Sequence, residues 1–267
     1  MNRIDARFAA LRASGRKGLI PFITAGDPQP AATVAIMHAL VEGGADLIEL
    51  GVPFSDPMAD GPVIQKASER AIARGVRAID VVEFVREFRV KDSQTPVVLM
   101  GYLNPVEIHG RDRFAAAATA AGVDGLLLVD APIEESALLR QLLDKHGLHQ
   151  ILLAAPTTVG ERRRQLASQA AGFLYYVAFA GVTGAAGLDA TDVGAHVSEL
   201  RQLTDVPIAV GFGVRDAASA RAVAVHADAV VVGSALVDRL AACADIPSAV
   251  SAATGFLAPL RVALDQR

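Results

Sequence analysis

The chain has no tryptophan, three tyrosines and ten phenylalanines, so aromatic residues make up only 5% of its 267 residues. Its core therefore has to be built from Ala, Val, Leu and Ile, the composition of layered parallel sheets. Cysteine is nearly absent too. Cys243 stands alone, which excludes an intramolecular disulfide and points to a reducing, cytoplasmic setting. Basic charge is not in excess: 25 Lys and Arg against 29 Asp and Glu leave a formal charge of −4. With both signs scattered along the chain, a nucleic-acid surface is not expected. The start, Met-Asn-Arg-Ile-Asp-Ala-Arg, lacks the apolar segment of a signal peptide. The uncharged stretch from Gln165 to Leu188 has a continuous apolar run only from Phe173 to Ala180. That is far short of the ~20 residues that span a bilayer, so it reads as a buried strand followed by a glycine loop. These absences leave a soluble globular protein as the expectation.

What the chain does have is alternation. Short apolar runs recur at Gly18 to Thr24, Asp46 to Leu50, Pro96 to Met100, Gly125 to Val129, Gln150 to Ala154, Phe173 to Val177, Pro207 to Val210 and Ala229 to Val232. Each is short and bounded by Gly, Pro or Asp, as buried parallel strands are. Between them lie amphipathic stretches such as Ala31 to Gly43, Ile133 to His146 and Asp216 to Val225, which read as helices. A joint of the form Ala-Asp or Val-Asp recurs before the strands, at Ala45-Asp46, Val123-Asp124 and Ala227-Asp228. Strict strand–helix alternation calls for right-handed crossovers and a parallel sheet. Eight such units predict an α/β fold, the (β/α)8 TIM barrel, with an additional N-terminal helix, Arg3 to Ala13, capping its floor. No linker or low-complexity tract interrupts it, so residues 1–267 read as one (β/α)8-barrel domain.

The second unit is unusually long, from Asp46 to Pro96, and its extra material follows a strand's carboxyl end, the face where barrels place their chemistry. It opens Leu47-Ile-Glu-Leu-Gly-Val-Pro-Phe-Ser-Asp-Pro-Met-Ala-Asp-Gly-Pro62. Glu49 lies inside the apolar strand. Two readings compete: a carboxylate paired with a nearby Lys or Arg or facing the helix layer, or a desolvated carboxyl with a raised pKa, fit for general acid and base work. In the loop beyond, Pro53, Pro57 and Pro62 restrict a chain that carries Asp56 and Asp60, although Asp-Pro and Asp-Gly are ordinary turn builders as well. Two late glycine loops, Gly211-Phe-Gly-Val-Arg-Asp216 and Val232-Gly-Ser-Ala-Leu236, fall after the seventh and eighth strands, the frequent phosphate site of barrels. They also serve as plain tight turns, and the first is no dinucleotide fingerprint, because Asp216 stands where its third glycine belongs. Gly181-Val-Thr-Gly184 has the composition of a lid on the same face. The histidines show no metal-ligand spacing, and Ser55 and Ser68 lack a suitable nearby base.

Taken together, Pro21-Phe-Ile-Thr-Ala-Gly-Asp-Pro28, Glu49-Leu-Gly-Val-Pro-Phe-Ser-Asp-Pro57, Ala59-Asp-Gly-Pro62, Gly101-Tyr-Leu-Asn-Pro105, Gly181-Val-Thr-Gly184 and Gly211-Phe-Gly213 resemble the alpha subunits of tryptophan synthase along essentially the whole chain. The resemblance implies a lyase that splits indole-3-glycerol phosphate into indole and glyceraldehyde 3-phosphate without a cofactor. It implies Glu49 as the proton-transferring residue and Asp60 as the partner of the indole N–H. It places Phe22, Met100, Tyr102, Leu127, Val129, Leu153, Tyr175, Thr183 and Phe212 around the indole, and Gly184, Gly213, Gly233 and Ser234 around the phosphate. It also implies a pyridoxal-phosphate-dependent beta subunit as partner, in an assembly of two alpha and two beta chains. Pro53, Asp56, Pro57, Asn104 and Pro132 are the positions expected at that interface. One departure from the family pattern is apolar Phe179-Ala180 just before the lid, where many relatives carry polar residues. An FMN-dependent or sugar-phosphate isomerase barrel would share the late glycine loops, and a silent activator subunit would share the fold; the two carboxylates speak against the last.

Overall fold

Residues 1–178, 190–211 and 213–266 are described by the computed structural model. Strands β1 (Gly18–Thr24), β2 (Ile48–Gly51), β3 (Val97–Gly101), β4 (Gly125–Leu128), β5 (His149–Gln150), β6 (Leu152–Ala154), β7 (Leu174–Val177), β8 (Ile208–Gly211) and β9 (Ala229–Val232) are joined edge to edge in parallel. The first strand, β1, pairs with both β2 and the last strand, β9, which leaves β5 and β6 at the two ends of the strand order. The fifth expected strand, Gln150 to Ala154, begins one residue earlier and is interrupted at Ile151. Its first half pairs with β4 and its second with β7 and β8's side of the barrel through β6. The Ile151 N–H still bonds the Leu126 carbonyl at 2.8 Å, so β5 and β6 form one stave that changes partner midway. Eight staves result, as the alternation predicts.

Every strand buries two faces. Ile48, Leu50, Leu99, Leu126, Val210 and Val230 point outward into the layer shared with the helices. Ile20, Leu47, Val98, Leu127, Tyr175, Ala209 and Val231 point inward. The inner cluster is completed from below by Ile4, Phe8 and Leu11 of the helix Arg3–Ser14, with the Phe8 and Phe173 rings 5.7 Å apart. That helix is the floor, as expected. At the far end of the chain, Ile246–Asp265 is long and apolar enough by composition to cross a bilayer. Here it lays Ala249, Ala253, Phe256, Leu257 and Leu260 into the core, so its apolarity belongs to barrel packing.

The recurring Asp joints turn out to be one device used three times. Asp46 accepts from the Leu19 N–H at 3.0 Å, Asp124 from the Val97 N–H at 2.8 Å and Asp228 from the Ile208 N–H at 2.9 Å, each satisfying an amide at the start of a neighbouring strand. Each is also paired with an arginine: Arg261 at 2.8 Å, Arg89 at 2.9 Å and Arg201 at 3.0 Å. A strand entering a barrel has no upstream partner for that amide, and the carboxylate supplies one. The Asp124–Arg89 pair is buried, so removing one member leaves the other charged and desolvated. Asp124→Ala is therefore expected to destabilise the fold by about 3–5 kcal/mol, read from the urea midpoint. A loss below about 1 kcal/mol, the range of an exposed ion pair, would contradict this account.

Candidate active site

Alternation along β2 settles which way Glu49 faces. Ile48 and Leu50 belong to the outer layer and Leu47 to the interior, so Glu49 points into the barrel, opposite Phe22 of β1 and Val98 of β3 in register. It is completely buried, and neither carboxyl oxygen has a hydrogen-bond partner among the described residues. The paired-carboxylate reading therefore fails. With no cation to compensate, burial alone pushes the Glu49 pKa from 4.5 up to about 8. Tyr175, also interior, is raised well above the phenol range by its own burial and by the charge of Glu49, which keeps its hydroxyl protonated. A β-carbon at Gly211 would collide with that hydroxyl, so Tyr175 occupies its place only because glycine ends β8.

Above Glu49, at the carboxyl ends of β1 to β4, a narrow cavity collects Phe22, Met100, Tyr102, Val129 and Asp60. A β-carbon at Gly51 would stand 2.5 Å from the Phe22 ring, so glycine at the end of β2 is what lets that ring turn into the cavity. The loop carrying Asp60 is held by its own contacts. The Tyr102 hydroxyl accepts from the Ala59 N–H at 2.9 Å and donates to Asp60 Oδ2 at 3.1 Å. The Gln65 side chain donates to the Asp60 carbonyl at 2.8 Å, and the Phe54 and Tyr102 rings lie 5.0 Å apart. Burial raises the Asp60 pKa, and the Tyr102 hydrogen bond pulls against it. Pro62 is not a loop stiffener; it is the first residue of the helix Pro62–Ala73, where a missing N–H costs nothing.

Leu127, Leu153 and Tyr175 line the barrel interior beneath, packed with Met100 and Val129. Thr24, Ile64 and Ser68 line the cavity as well and were not anticipated. Thr24 lay in plain view at the end of β1, and Ile64 and Ser68 stand four apart on one helix face, a spacing that could have found them. Gly233 and Ser234 open the helix Ser234–Ala241, which begins without a side-chain cap and so presents free amide donors of the kind that bind anions. Gly213 adopts φ +61°, a left-handed backbone that favours glycine for its own reasons. Thr183, Gly184 and Phe212, with Phe179-Ala180, lie outside the described residues.

Of the expected interface positions, Asp56, Asn104 and Pro132 are exposed and Pro57 is half-buried. Pro53 is buried, a correction: at the root of the loop, next to the end of β2, it is packed inward and has no face to offer a partner. Two apolar side chains missed in the sequence, Met58 at 86% and Ile108 at 79% exposure, stand out on this rim instead.

Residues 8–259 match the family model of the tryptophan synthase alpha chain. The tryptophan synthase alpha chain of Xanthomonas oryzae pv. oryzae (strain PXO99A) is 62% identical over 267 residues, covering all of both chains. That of Laribacter hongkongensis (strain HLHK9) is 59% identical over 99% of this chain and 100% of its own length. The chain belongs to the tryptophan synthase alpha chain family. Among solved structures, the tryptophan synthase alpha subunit of Legionella pneumophila str. Paris superposes with a TM-score of 0.93 at 45% identity, covering 100% of each chain. A chain of Mycobacterium tuberculosis tryptophan synthase superposes at 0.90 with 35% identity, covering 100% of this chain and 99% of that one. The barrel and its long second unit are thus the family's architecture.

The unpaired interior carboxyl has a measurable consequence. Its folded pKa of about 8 lies above its ordinary 4.5, so the folded chain keeps a proton that the unfolded chain releases. The stability tied to that proton is fully present below pH 4.5 and is lost as pH rises to about 8. Glu49→Gln, which cannot ionise, is expected to gain on the wild type in thermal midpoint across this window. Parallel midpoint–pH curves for the two chains would show that Glu49 is not held neutral.

Proposed function

We infer that this chain is a carbon–carbon lyase that cleaves indole-3-glycerol phosphate to indole and glyceraldehyde 3-phosphate in L-tryptophan biosynthesis. Family membership supports the reaction. Supporting the residue roles is a fully buried, unpaired carboxyl directly below an apolar cavity that carries a second carboxylate. In the retro-aldol step a proton is added to indole C3, making the ring cationic. The hydroxyl on the adjoining carbon loses its proton, its electrons form the aldehyde carbonyl, and the carbon–carbon bonding pair returns to the ring. Glu49, neutral at physiological pH because it is desolvated, supplies the first proton and, once ionised, accepts the second. Asp60 accepts the indole N–H and stabilises the positive charge that develops there, with Tyr102 fixing its orientation. The ring lies among Phe22, Met100, Tyr102 and Val129, with Leu127, Leu153 and Tyr175 below; Thr183 and Phe212 complete the set of indole contacts that the family resemblance implies. The phosphate goes to the backbone amides of Gly213, at a glycine turn, and of Gly233 and Ser234, at a helix start; the family resemblance adds Gly184. No cofactor enters this scheme, since the protonated ring is the electron sink; flavin and sugar-phosphate readings give way to the family.

Glu49→Gln is expected to lower turnover by at least about 10²–10⁴-fold, the range for loss of a general acid and base. Asp60→Asn is expected to lower kcat far more than it raises KM, because the amide keeps the shape and loses the charge. Indole release from indole-3-glycerol phosphate measures both. A Glu49→Gln chain retaining a tenth of the wild-type rate, or an Asp60→Asn effect confined to KM, would remove the assignment concerned.

The partner is the pyridoxal-phosphate-dependent beta subunit, two copies with two of this chain, in the cytoplasm. Its docking rim comprises Asp56, Pro57, Asn104 and Pro132 together with Met58 and Ile108, which surround the cavity mouth. The loop from residue 53 to 61 carries Asp56, Pro57 and Met58 of the rim as well as Asp60, so docking bears on catalysis. Asp56→Ala combined with Met58→Ala is expected to weaken association with a beta subunit at least about tenfold, as removal of a central apolar anchor does. Sedimentation and stimulation of the cleavage rate measure it, and unchanged association would move the interface elsewhere.

A further inference from the structure

Four buried side-chain polar atoms among the described residues have no hydrogen-bond partner, and three of them belong to neighbouring positions: Thr24 Oγ1, Glu49 Oε1 and Glu49 Oε2. In the pairing of β1 with β2, Phe22 stands opposite Glu49 and Thr24 opposite Gly51. Thr24 therefore shares the interior face with Glu49, one side-chain step nearer the carboxyl ends of the strands. It is 2% exposed and lines the cavity that holds Asp60, whereas Glu49 is 0% exposed and does not. A carboxyl that exchanges protons with a ring in that cavity has to turn upward from where it rests. The hydroxyl it meets in doing so is that of Thr24, which is committed to nothing else.

We propose that Thr24 is a positioning residue for the cleavage reaction, its hydroxyl donating to the Glu49 carboxylate when that side chain turns up into the substrate cavity. A buried hydroxyl left without a partner costs stability, and a site that retains one has a use for it in another state. The donated hydrogen bond holds the carboxylate against the substrate and favours its ionised form, easing the return half of the proton exchange. The other titratable groups facing this space among the described residues are Tyr175 from β7, which stays protonated, and Asp60 and Tyr102 on the cavity wall. No Lys, Arg or His lines it, so nothing else there supplies a charge to the carboxylate. The inference rests on the role assigned to Glu49.

The test compares Thr24→Val, which keeps the shape and loses the donor, with Thr24→Ser, which keeps the donor. Steady-state cleavage of indole-3-glycerol phosphate is measured across pH alongside thermal midpoints. Thr24→Val is expected to lower kcat about 10–100-fold, the scale of a hydrogen bond to a charged group, with KM within about twofold. Its alkaline limb is expected to move to higher pH, because without the bond that favours its charge the Glu49 carboxyl stays protonated further up the scale. Thr24→Ser is expected to recover most of the rate, and the thermal midpoint of Thr24→Val to be no lower than wild type, since no resting hydrogen bond is broken. An unchanged kcat, a rise in KM alone, or a lower midpoint with no recovery by serine would overturn the proposal. An active Glu49→Gln chain would remove both this role and the one it rests on. An inactive Glu49→Gln beside a wild-type-like Thr24→Val would remove this one alone.

Discussion

A closed parallel barrel leaves no strand face in water, and this constraint organises the molecule. The outer faces of the strands are covered by helices and the inner faces by one another, so nearly every strand position calls for an apolar side chain. The chain meets the demand with aliphatic residues, which explains its poverty in aromatics, and it closes the floor with Ile4, Phe8 and Leu11. Charge is admitted at the strand entrances, where Asp46, Asp124 and Asp228 satisfy orphan amides and are each neutralised by arginine. A polar group placed deeper than this has no such compensation.

Glu49 is that group. Its burial is as complete as that of the flanking Ile48 and Leu50, yet it has neither a cation nor a donor, and the cost is expressed as a pKa near 8. The same desolvation that weakens the fold gives the carboxyl an affinity for protons matched to neutral pH, which an exchange in both directions requires. Asp60 stands in contrast. Partly exposed at the cavity wall and held by Tyr102, it keeps a partner for its charge. Burial raises both carboxyls, Glu49 with nothing to oppose it and Asp60 against the pull of the Tyr102 hydrogen bond, so the two meet the substrate in different surroundings.

Much of this was legible in the sequence, for reasons that differ by residue. The staves were readable because buried strands leave uninterrupted apolar runs, and the break at Ile151 was not, because a change of pairing partner leaves no mark on hydropathy. The Asp joints were visible as a repeat, but their purpose depends on Arg89, Arg201 and Arg261, which lie far away along the chain. Glu49 could be placed on a strand and not on a face until Leu47 and Ile48 were assigned to their layers. Pro53 read as a rim residue because it belongs to a proline-stiffened loop at the mouth of the barrel, and the packing at the root of the loop reversed that. Thr24 escaped notice because a threonine at a strand end is unremarkable until its hydroxyl is seen to lack a partner.

The central claim is that Glu49 rests protonated inside the barrel at neutral pH. Carbon-13 labelling of glutamate side chains, with Glu49→Gln to assign the resonance, allows its carboxyl to be titrated directly. The account predicts a midpoint near 8, well apart from the exposed glutamates. A midpoint at the ordinary value of 4.5 would mean that the carboxyl is solvated or paired, and the argument built on its desolvation would fall.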